Sequence, residues 1–476
     1  MDARRVVELL GRWSSGRGPL YLLLAGRLRQ MIDDGDLEPG TRMPPERLLA
    51  RTLAVGRGTV VNAYEQLRMD GRVVRRQGSG TRVAGSTEPI PTGVEPTTDP
   101  MFLARLEPDD RVISMASAAP DRPPVEVIEA YRSAIDELAL LTDVGYHPIG
   151  YPRLRAALAR RYCERGMSTQ PDQIMITNGS QQALSLLATS LLRPGDQVAV
   201  EAPTYTGALE AIREAGAVTL PLGLGLEGLG HAVRDRRPAL AYVIPTNHNP
   251  TGTTLPALRR NRLAGIAAEA GIPIIEDEVL AGLTFADEPA PPPIATDRRG
   301  TVISVGSLSK SVWAGLRVGW IRAPQAIINR AARIRAIHDL GGNLPVQMAA
   351  AQLVPILDEL ARRRSRALQV GHDHLRAELA EAIPEWTTVP ALGGQTLWIR
   401  LPRGDGASFT QAALRQGVAI LPGDGLDPSR QSTDRIRIHY ALDNALLSEA
   451  VQRLAVAWSS YAAPARVTAP VPVLAV

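Results

Sequence analysis

From about residue 111 onward, short β-type runs alternate with helical patterns, and this alternation limits the possible folds more than any other feature of the chain. The runs are Gln173–Thr177, Gln197–Glu201, Leu240–Pro245, Pro273–Glu276 and Thr301–Val305. Strands separated by helices argue for a mostly parallel α/β sheet. The stretch from about 326 to 460 is richer in helical pattern and is expected to form a smaller second lobe. The tail after residue 461 has no amphipathic pattern and is expected to fray, and no repeat period is present.

The front of the chain reads differently. Tyr21, Leu24, Ala25, Leu28, Met31 and Ile32 follow helical spacing and stop at Asp33-Asp34-Gly35. A second short helix is expected around Leu48, Leu49 and Leu53. A third carries Val60, Ala63, Tyr64 and Leu67 on one face, with Gly58, Thr59, Asn62 and Gln66 on the other and Arg57 at its start. Two β-type runs, Arg72–Arg76 and Thr81–Val83, are joined across Gln77-Gly78-Ser79-Gly80. Three small helices and a basic hairpin predict a winged helix-turn-helix. Between the two regions, residues 85–110 are rich in Pro and Thr and read as a semi-extended linker. The expected organisation is therefore a head at 1–84, a linker at 85–110, a body at 111–461 and a tail at 462–476.

Charge supports that division. Residues 1–84 hold 15 Arg and 9 acidic residues, net +6, whereas the whole chain is +4, leaving −2 for the rest. A basic module on a nearly neutral body suggests nucleic-acid binding. No run approaches the ~18 apolar residues of a membrane span, and the charged N-terminus is unlike a secretory signal. A single cysteine, Cys163, excludes an intramolecular disulfide framework and fits a reducing cytoplasm. Of 53 basic residues, 52 are Arg and one is Lys310. Guanidinium effectively never loses its proton, so a lysine kept amid such a bias marks a site that needs a neutral amine.

Lys310 ends the loop Ser304-Val305-Gly306-Ser307-Leu308-Ser309 and is followed by Gly315-Leu316-Arg317-Val318-Gly319-Trp320. Asn249-Pro250-Thr251-Gly252 follows one strand and Glu276-Asp277-Glu278 ends another. Strand 173–177 runs into Asn178-Gly179-Ser180-Gln181 and a helix, whose free backbone N–H groups suit a phosphate. In open parallel sheets ligands gather at the carboxyl ends of strands, where all these segments fall.

Together these motifs resemble the fold-type I aminotransferases, which use pyridoxal 5′-phosphate, over about residues 111–460. The resemblance implies that Lys310 forms the internal aldimine and that Asp277 pairs with the pyridinium nitrogen. It further implies that Asn249 hydrogen-bonds the ring O3′, that Tyr205 stacks on the ring, and that Ser180, Gln181, Ser307, Ser309 and Arg317 hold the phosphate. Tyr146 matches a tyrosine that reaches the neighbouring subunit's phosphate, implying a homodimer with shared sites. Arg437, in Arg435-Ile436-Arg437-Ile438, matches the arginine that clamps an amino-acid carboxylate. One departure stands out: Val279 and Leu280 occupy positions where the family usually has a tyrosine that donates to O3′, which tells against efficient turnover. His372 and His374 lack further ligands nearby, so no metal site is expected.

The head resembles the GntR family's winged helix through Pro39-Gly40-Thr41-Arg42-Met43-Pro44-Pro45-Glu46-Arg47 and Val55-Gly56-Arg57-Gly58-Thr59-Val60. That likeness places Arg47, Arg57, Thr59 and Asn62 toward DNA, with Gly78 and Gly80 letting the wing approach a groove. Arg57 is positioned to read a guanine, while Arg47, Arg75 and Arg76 suit phosphates. A GntR-like head, a linker and an aminotransferase-like body resemble the MocR family of transcriptional regulators. That family implies a domain-swapped homodimer on a DNA operator, sensing pyridoxal phosphate together with an amino-acid or amine effector. Two other readings stay open at this level: a metabolic aminotransferase with a vestigial head, and a body that serves only to dimerise.

Overall fold

The computed structural model describes residues 3–11, 13, 19–38, 40–70, 72–76, 80–83, 112–120, 122–285, 291–296 and 300–461. The expected linker at 85–110, the tail at 462–476 and Gly78 lie outside these residues. The chain divides into two compact units, a head and a larger body.

In the head, α1 (Ala3–Leu10), α2 (Leu20–Asp33), α3 (Glu46–Thr52) and α4 (Arg57–Met69) precede the hairpin of β1 (Val73–Arg76) and β2 (Gly80–Val83). The strands pair antiparallel with Val73 opposite Val83 and Arg76 opposite Gly80. The apolar stripe on α2 buries Leu24, Leu28 and Met31 against Leu49 of α3 and Val60, Ala63 and Leu67 of α4. The Tyr64 hydroxyl, buried in this core, donates to the Pro44 carbonyl at 2.9 Å, so the Pro-Pro turn is tied to α4. The expected three helices are present. The fourth, α1, adds Val6 and Leu10 to the same core.

The body opens with β3 (Ile113–Ser114) and then α5 (Val125–Leu138) and α6 (Pro152–Glu164). Its main sheet comprises β4 (Ile174–Thr177), β5 (Gln197–Glu201), β6 (Val218–Leu222), β7 (Leu240–Val243), β8 (Ile274–Asp277), β9 (Val302–Ser307) and β10 (Gly319–Arg322). Their order is β4-β10-β9-β8-β7-β5-β6, and β10 alone runs antiparallel to its neighbours. Interleaved are α7 (Gly179–Leu191), α8 (Thr206–Glu214), α9 (Leu229–Asp235) and α10 (Ala257–Ala270), followed by α11 (Gln325–His338) and α12 (Leu344–Leu353).

Alternate residues of each strand enter different cores. Ile174, Ile176 and Ile274 face one core with α6, α10 and α12. Met175 and Ile275 face the other with α7, α8 and α11. Both faces are covered, so the strands read as continuous apolar runs rather than as alternation.

The smaller lobe carries α13 (Leu357–Ala382), β11 (Thr387–Thr388), β12 (Thr396–Arg400), α14 (Gly406–Arg415), β13 (Val418–Ala419), β14 (Leu421–Pro422), β15 (Arg435–His439) and α15 (Asn444–Ser460). Its sheet has the order β11-β12-β15-β14, while β13 pairs in parallel with β3. The lobe therefore does not begin at 326 as expected: Ile328 and Ala331 of α11, and Met348 and Leu353 of α12, pack in the cores of the large lobe. A helical pattern reveals an apolar face but not which sheet covers it. Conversely, Met115 and Ala118, next to β3, belong to the core of the small lobe.

Candidate functional site

The strands β5, β7, β8 and β9 deliver their carboxyl ends to one edge of the sheet, and the reversed β10 delivers its amino end there. The loop after β9 carries Lys310. Its amine donates to the Ala118 carbonyl at 2.6 Å. Enclosure first, then the guanidinium charges of Arg437, Arg317 and Arg364, push the amine down to about 8. About a tenth of it is then neutral at pH 7, some 200 times the fraction for an ordinary lysine.

Asp277 is the last residue of β8 and is buried. Burial raises its carboxyl to about 6, against the opposing bonds that it accepts from the Val279 N–H at 3.0 Å and the Tyr242 hydroxyl at 2.8 Å. Tyr242, in the middle of β7, was not singled out from sequence, although a tyrosine inside a buried strand must find an acceptor for its hydroxyl. The next residue, Glu278, accepts from the Tyr162 hydroxyl at 2.7 Å and from Arg165 at 3.2 Å. The Trp320 indole in turn donates to the Tyr162 oxygen at 2.9 Å. Val279 and Leu280 stand where the donor tyrosine of the resemblance was missing, and Leu280 packs in the core of the small lobe.

A cradle lies at the start of α7. Gly179 has φ +77°, and a Cβ there would sit 2.6 Å from the Arg317 guanidinium. A Cβ on Gly319 would sit 2.8 Å from the Ser180 nitrogen. Both glycines are needed for the helix start, β10 and Arg317 to approach one another. Arg317 donates to the Asn178 carbonyl at 3.0 Å from a left-handed backbone at φ +50°. The Ser309 N–H donates to Ser307 Oγ at 3.1 Å, and the two hydroxyl oxygens lie 3.0 Å apart. The Tyr205 hydroxyl donates to Gln181 Oε1 at 3.0 Å, and Gln181 Nε2 donates to the Gly207 carbonyl at 2.8 Å. Burial raises the Tyr205 hydroxyl, with Asp277 adding to that rise and Arg437 and Arg317 opposing it, so all four share one field.

Arg437, buried on β15, donates to Asn249 Oδ1 at 3.0 Å and to the Ala116 carbonyl. Two positions along β15, His439 Nδ1 accepts from the Ala441 N–H at 3.1 Å, so Nε2 carries the proton toward the Ser114 carbonyl at 2.8 Å. Burial holds this imidazole neutral, pushing it down to about 3. Neither His439 nor the carbonyls of 114–118 stood out in the sequence. Tyr146 is not gathered here: it is 65% exposed. His372 bonds Asp373 and the Ala391 N–H, while His374 bonds Ser448. Among the described residues no group of three His, Cys, Asp or Glu is placed to hold a metal ion, and no helix is long and apolar enough to cross a membrane.

In the head, Arg57 begins α4 and is exposed, 3.4 Å from Glu46. Asn62 on α4 and Arg47 on α3 are also exposed, while Thr59 is half-buried. Arg75 and Arg76 lie on β1, with their side chains outside the described set.

Residues 110–454 match the family model for aminotransferase class I and II, and residues 20–83 match that for bacterial regulatory proteins of the gntR family. The chain is 29% identical to the HTH-type transcriptional regulator YisV of Bacillus subtilis over 91% of its length and 95% of the relative's. It is likewise 29% identical to the probable rhizopine catabolism regulatory protein MocR of Rhizobium meliloti, over 86% and 91%. Among solved structures, Pyrococcus horikoshii kynurenine aminotransferase in complex with PMP matches with a TM-score of 0.68 and 28% identity, over 75% of this chain and 93% of that one. With a sheet of that family carrying the lone lysine, and a gntR-type domain ahead of it, the chain belongs to the aminotransferase class I and II family in its MocR-type, regulator-fused branch.

Proposed function

We propose that the protein is a cytoplasmic DNA-binding transcriptional regulator whose body binds pyridoxal 5′-phosphate and, with it, an amino-acid or amine effector. The observation that carries this reading is Lys310: the chain's one primary side-chain amine sits at the strand ends with its basicity lowered by enclosure. The domain limits go with it: a head at 1–84, a connecting stretch at 85–110 and a body at 111–461.

The chain's own groups fit such a cofactor. The Gly179 cradle, the first amides of α7, Ser180, Gln181, Ser307, Ser309 and Arg317 offer donors for a phosphate. Asp277, raised to about 6 by burial, is suited to hold a proton at a ring nitrogen, because a cation beside it offsets that burial. Asn249 would hydrogen-bond the ring hydroxyl and Tyr205 would stack on the ring face. Pyridoxal phosphate, when bound, supplies an aldehyde and an electron-accepting ring. Lys310 supplies the amine that meets it, and Arg437 supplies a guanidinium fork for an effector carboxylate. With Val279 and Leu280 in place of a donor, Asn249 is left as the sole side chain of this set for the ring hydroxyl, which favours sensing over turnover.

The exposure of Tyr146 supports a homodimer in which it completes the partner's phosphate site. In the head, Arg57, Thr59 and Asn62 read the operator, while Arg47, Arg75 and Arg76, with the wing glycines 78 and 80, follow its backbone. Allostery follows when an effector binds two arrangements of the dimer with different affinity. The test is an absorbance titration of the full chain with pyridoxal phosphate, followed by footprinting on the DNA beside its gene with and without amino acids. A visible band that depends on Lys310, and protection that changes with one amine, are expected. Colourless protein after the titration, or protection identical with every amine, defeats the reading.

A further inference from the structure

We propose that residues 113–118 form a backbone latch: their carbonyls occupy the cations that a ligand must use, and ligand capture frees them. This rests on the roles given above to Lys310 and Arg437. In an extended chain, carbonyls of alternate residues point the same way. Those of Ser114, Ala116 and Ala118 accept respectively from His439 Nε2 at 2.8 Å, from Arg437, and from Lys310 at 2.6 Å. On the other edge the Ile113 and Met115 N–H groups donate to the carbonyls of Gly417 and Ala419 at 2.9 and 2.8 Å, beside β13. The Met115 carbonyl accepts the His439 N–H at 3.1 Å.

The latch therefore spans the two lobes. His439 and Arg437 lie on β15 of the small lobe, whereas Lys310 follows β9 of the large one. Met115 is fully buried in the core of the small lobe and fixes the latch there.

The three bonds do not respond alike to a ligand. A carboxylate displaces a neutral carbonyl from a guanidinium, because its bonds are charge-assisted and bidentate. An amine that attacks a carbonyl carbon forms a carbon–nitrogen bond and breaks the carbon–oxygen bond. Its two N–H hydrogens leave with that oxygen as water, so nothing remains for Ala118 to accept. The neutral His439 has no such competitor and keeps Ser114. Ligand capture thus cuts the tie to the large lobe and leaves β3 held only by its bonds to Gly417, Ala419 and His439, so that it opens from β13 more often. The loosened backbone is the part of the body that follows residues 85–110 in sequence.

Hydrogen exchange on the full chain, with pyridoxal 5′-phosphate as the probe, tests this. Reduction with borohydride and peptide mass mapping records the adduct on Lys310 in the same sample. Loading is expected to speed exchange of the Ile113 and Met115 amides about tenfold, the reverse of the slowing that ligands usually cause. Met115→Ala, which weakens the anchor, is expected to form the adduct faster than the unaltered chain. An adduct on Lys310 with unchanged or slower exchange at 113–115 overturns the latch and leaves the functional reading intact. Absence of an adduct overturns both. The exchange result stands whether or not Met115→Ala folds.

Discussion

The exposed residues of α3 and α4 in the head and the strand-end site of the body both carry cations, but in opposite states. Arg57, Arg47 and Asn62 stand in water, and Arg57 has a loose 3.4 Å contact with Glu46. Lys310, Arg437 and Asp277 are enclosed, and each is held by backbone or buried partners before any ligand arrives. An exposed cation costs little to leave waiting and gains from a polyanion through counterion release. An enclosed cation has already lost its water, which alters its proton affinity and fixes its geometry. If the two regions act as proposed, salt tunes the affinity of the head and barely touches the chemistry of the body.

The largest effect expected is on the body's amine. Lys310→Arg keeps the charge and abolishes reaction with an aldehyde, so the visible band and the borohydride adduct disappear while the circular dichroism spectrum is retained. A band that persists in that variant erases the contrast between head and body. On the head, Arg57→Ala is expected to cost about 1–3 kcal/mol at one base pair and to relax specificity there, read by binding to a panel of single-base operator variants. Tyr242→Phe removes a donor to Asp277, so the carboxyl should rise above about 6 and cofactor affinity should fall about tenfold, measured by spectral titration against pH.

A smaller effect comes from pH. The folded value for Lys310, about 8, lies below that of an unfolded lysine, so the neutral amine becomes more abundant as pH rises through 8. Aldehyde uptake should rise about fivefold from pH 7 to pH 8 and then level, whereas an unperturbed amine would give tenfold with no plateau. The same sign means that this group weakens the fold at pH 7, and that the loss is regained between about 8 and 10.4. The smallest effect is Arg47→Ala, which should weaken all DNA sites alike and lower the salt slope by about 1.

Much of the fold was legible because its strands are apolar on both faces: Gln197–Glu201 matches β5 as expected, and β7, β8 and β9 differ by one or two residues at their ends. β6 was missed because Pro221 and half-buried side chains mask an edge strand, and β10 because four residues beginning with Gly319 carry little pattern. In the small lobe, strands of two residues cannot show a period at all. The lone lysine was visible because composition singled it out. Asp277, Asn249, Tyr205, Arg317 and Arg437 reach the same edge of the sheet, in the motif order read from sequence. What the sequence hid was pairing at long range. Tyr242 meets Asp277 because β7 lies beside β8, and 113–118 meets Arg437 across more than 300 residues. Sheet order and lobe closure decide such contacts, and neither leaves a local trace.

The reversal of β10 has a consequence for engineering. Because that strand runs back toward the edge that β9 leaves, the turn between them holds both the amine and the left-handed arginine, with six residues, 311–316, separating the two. Gly315 and Gly319 leave this turn no spare room, since a Cβ on either would collide with Trp313 or with the first residues of α7. Insertion scanning should therefore find that one extra residue at 311–316 misplaces both groups at once, while insertions on the opposite rim of the sheet are absorbed.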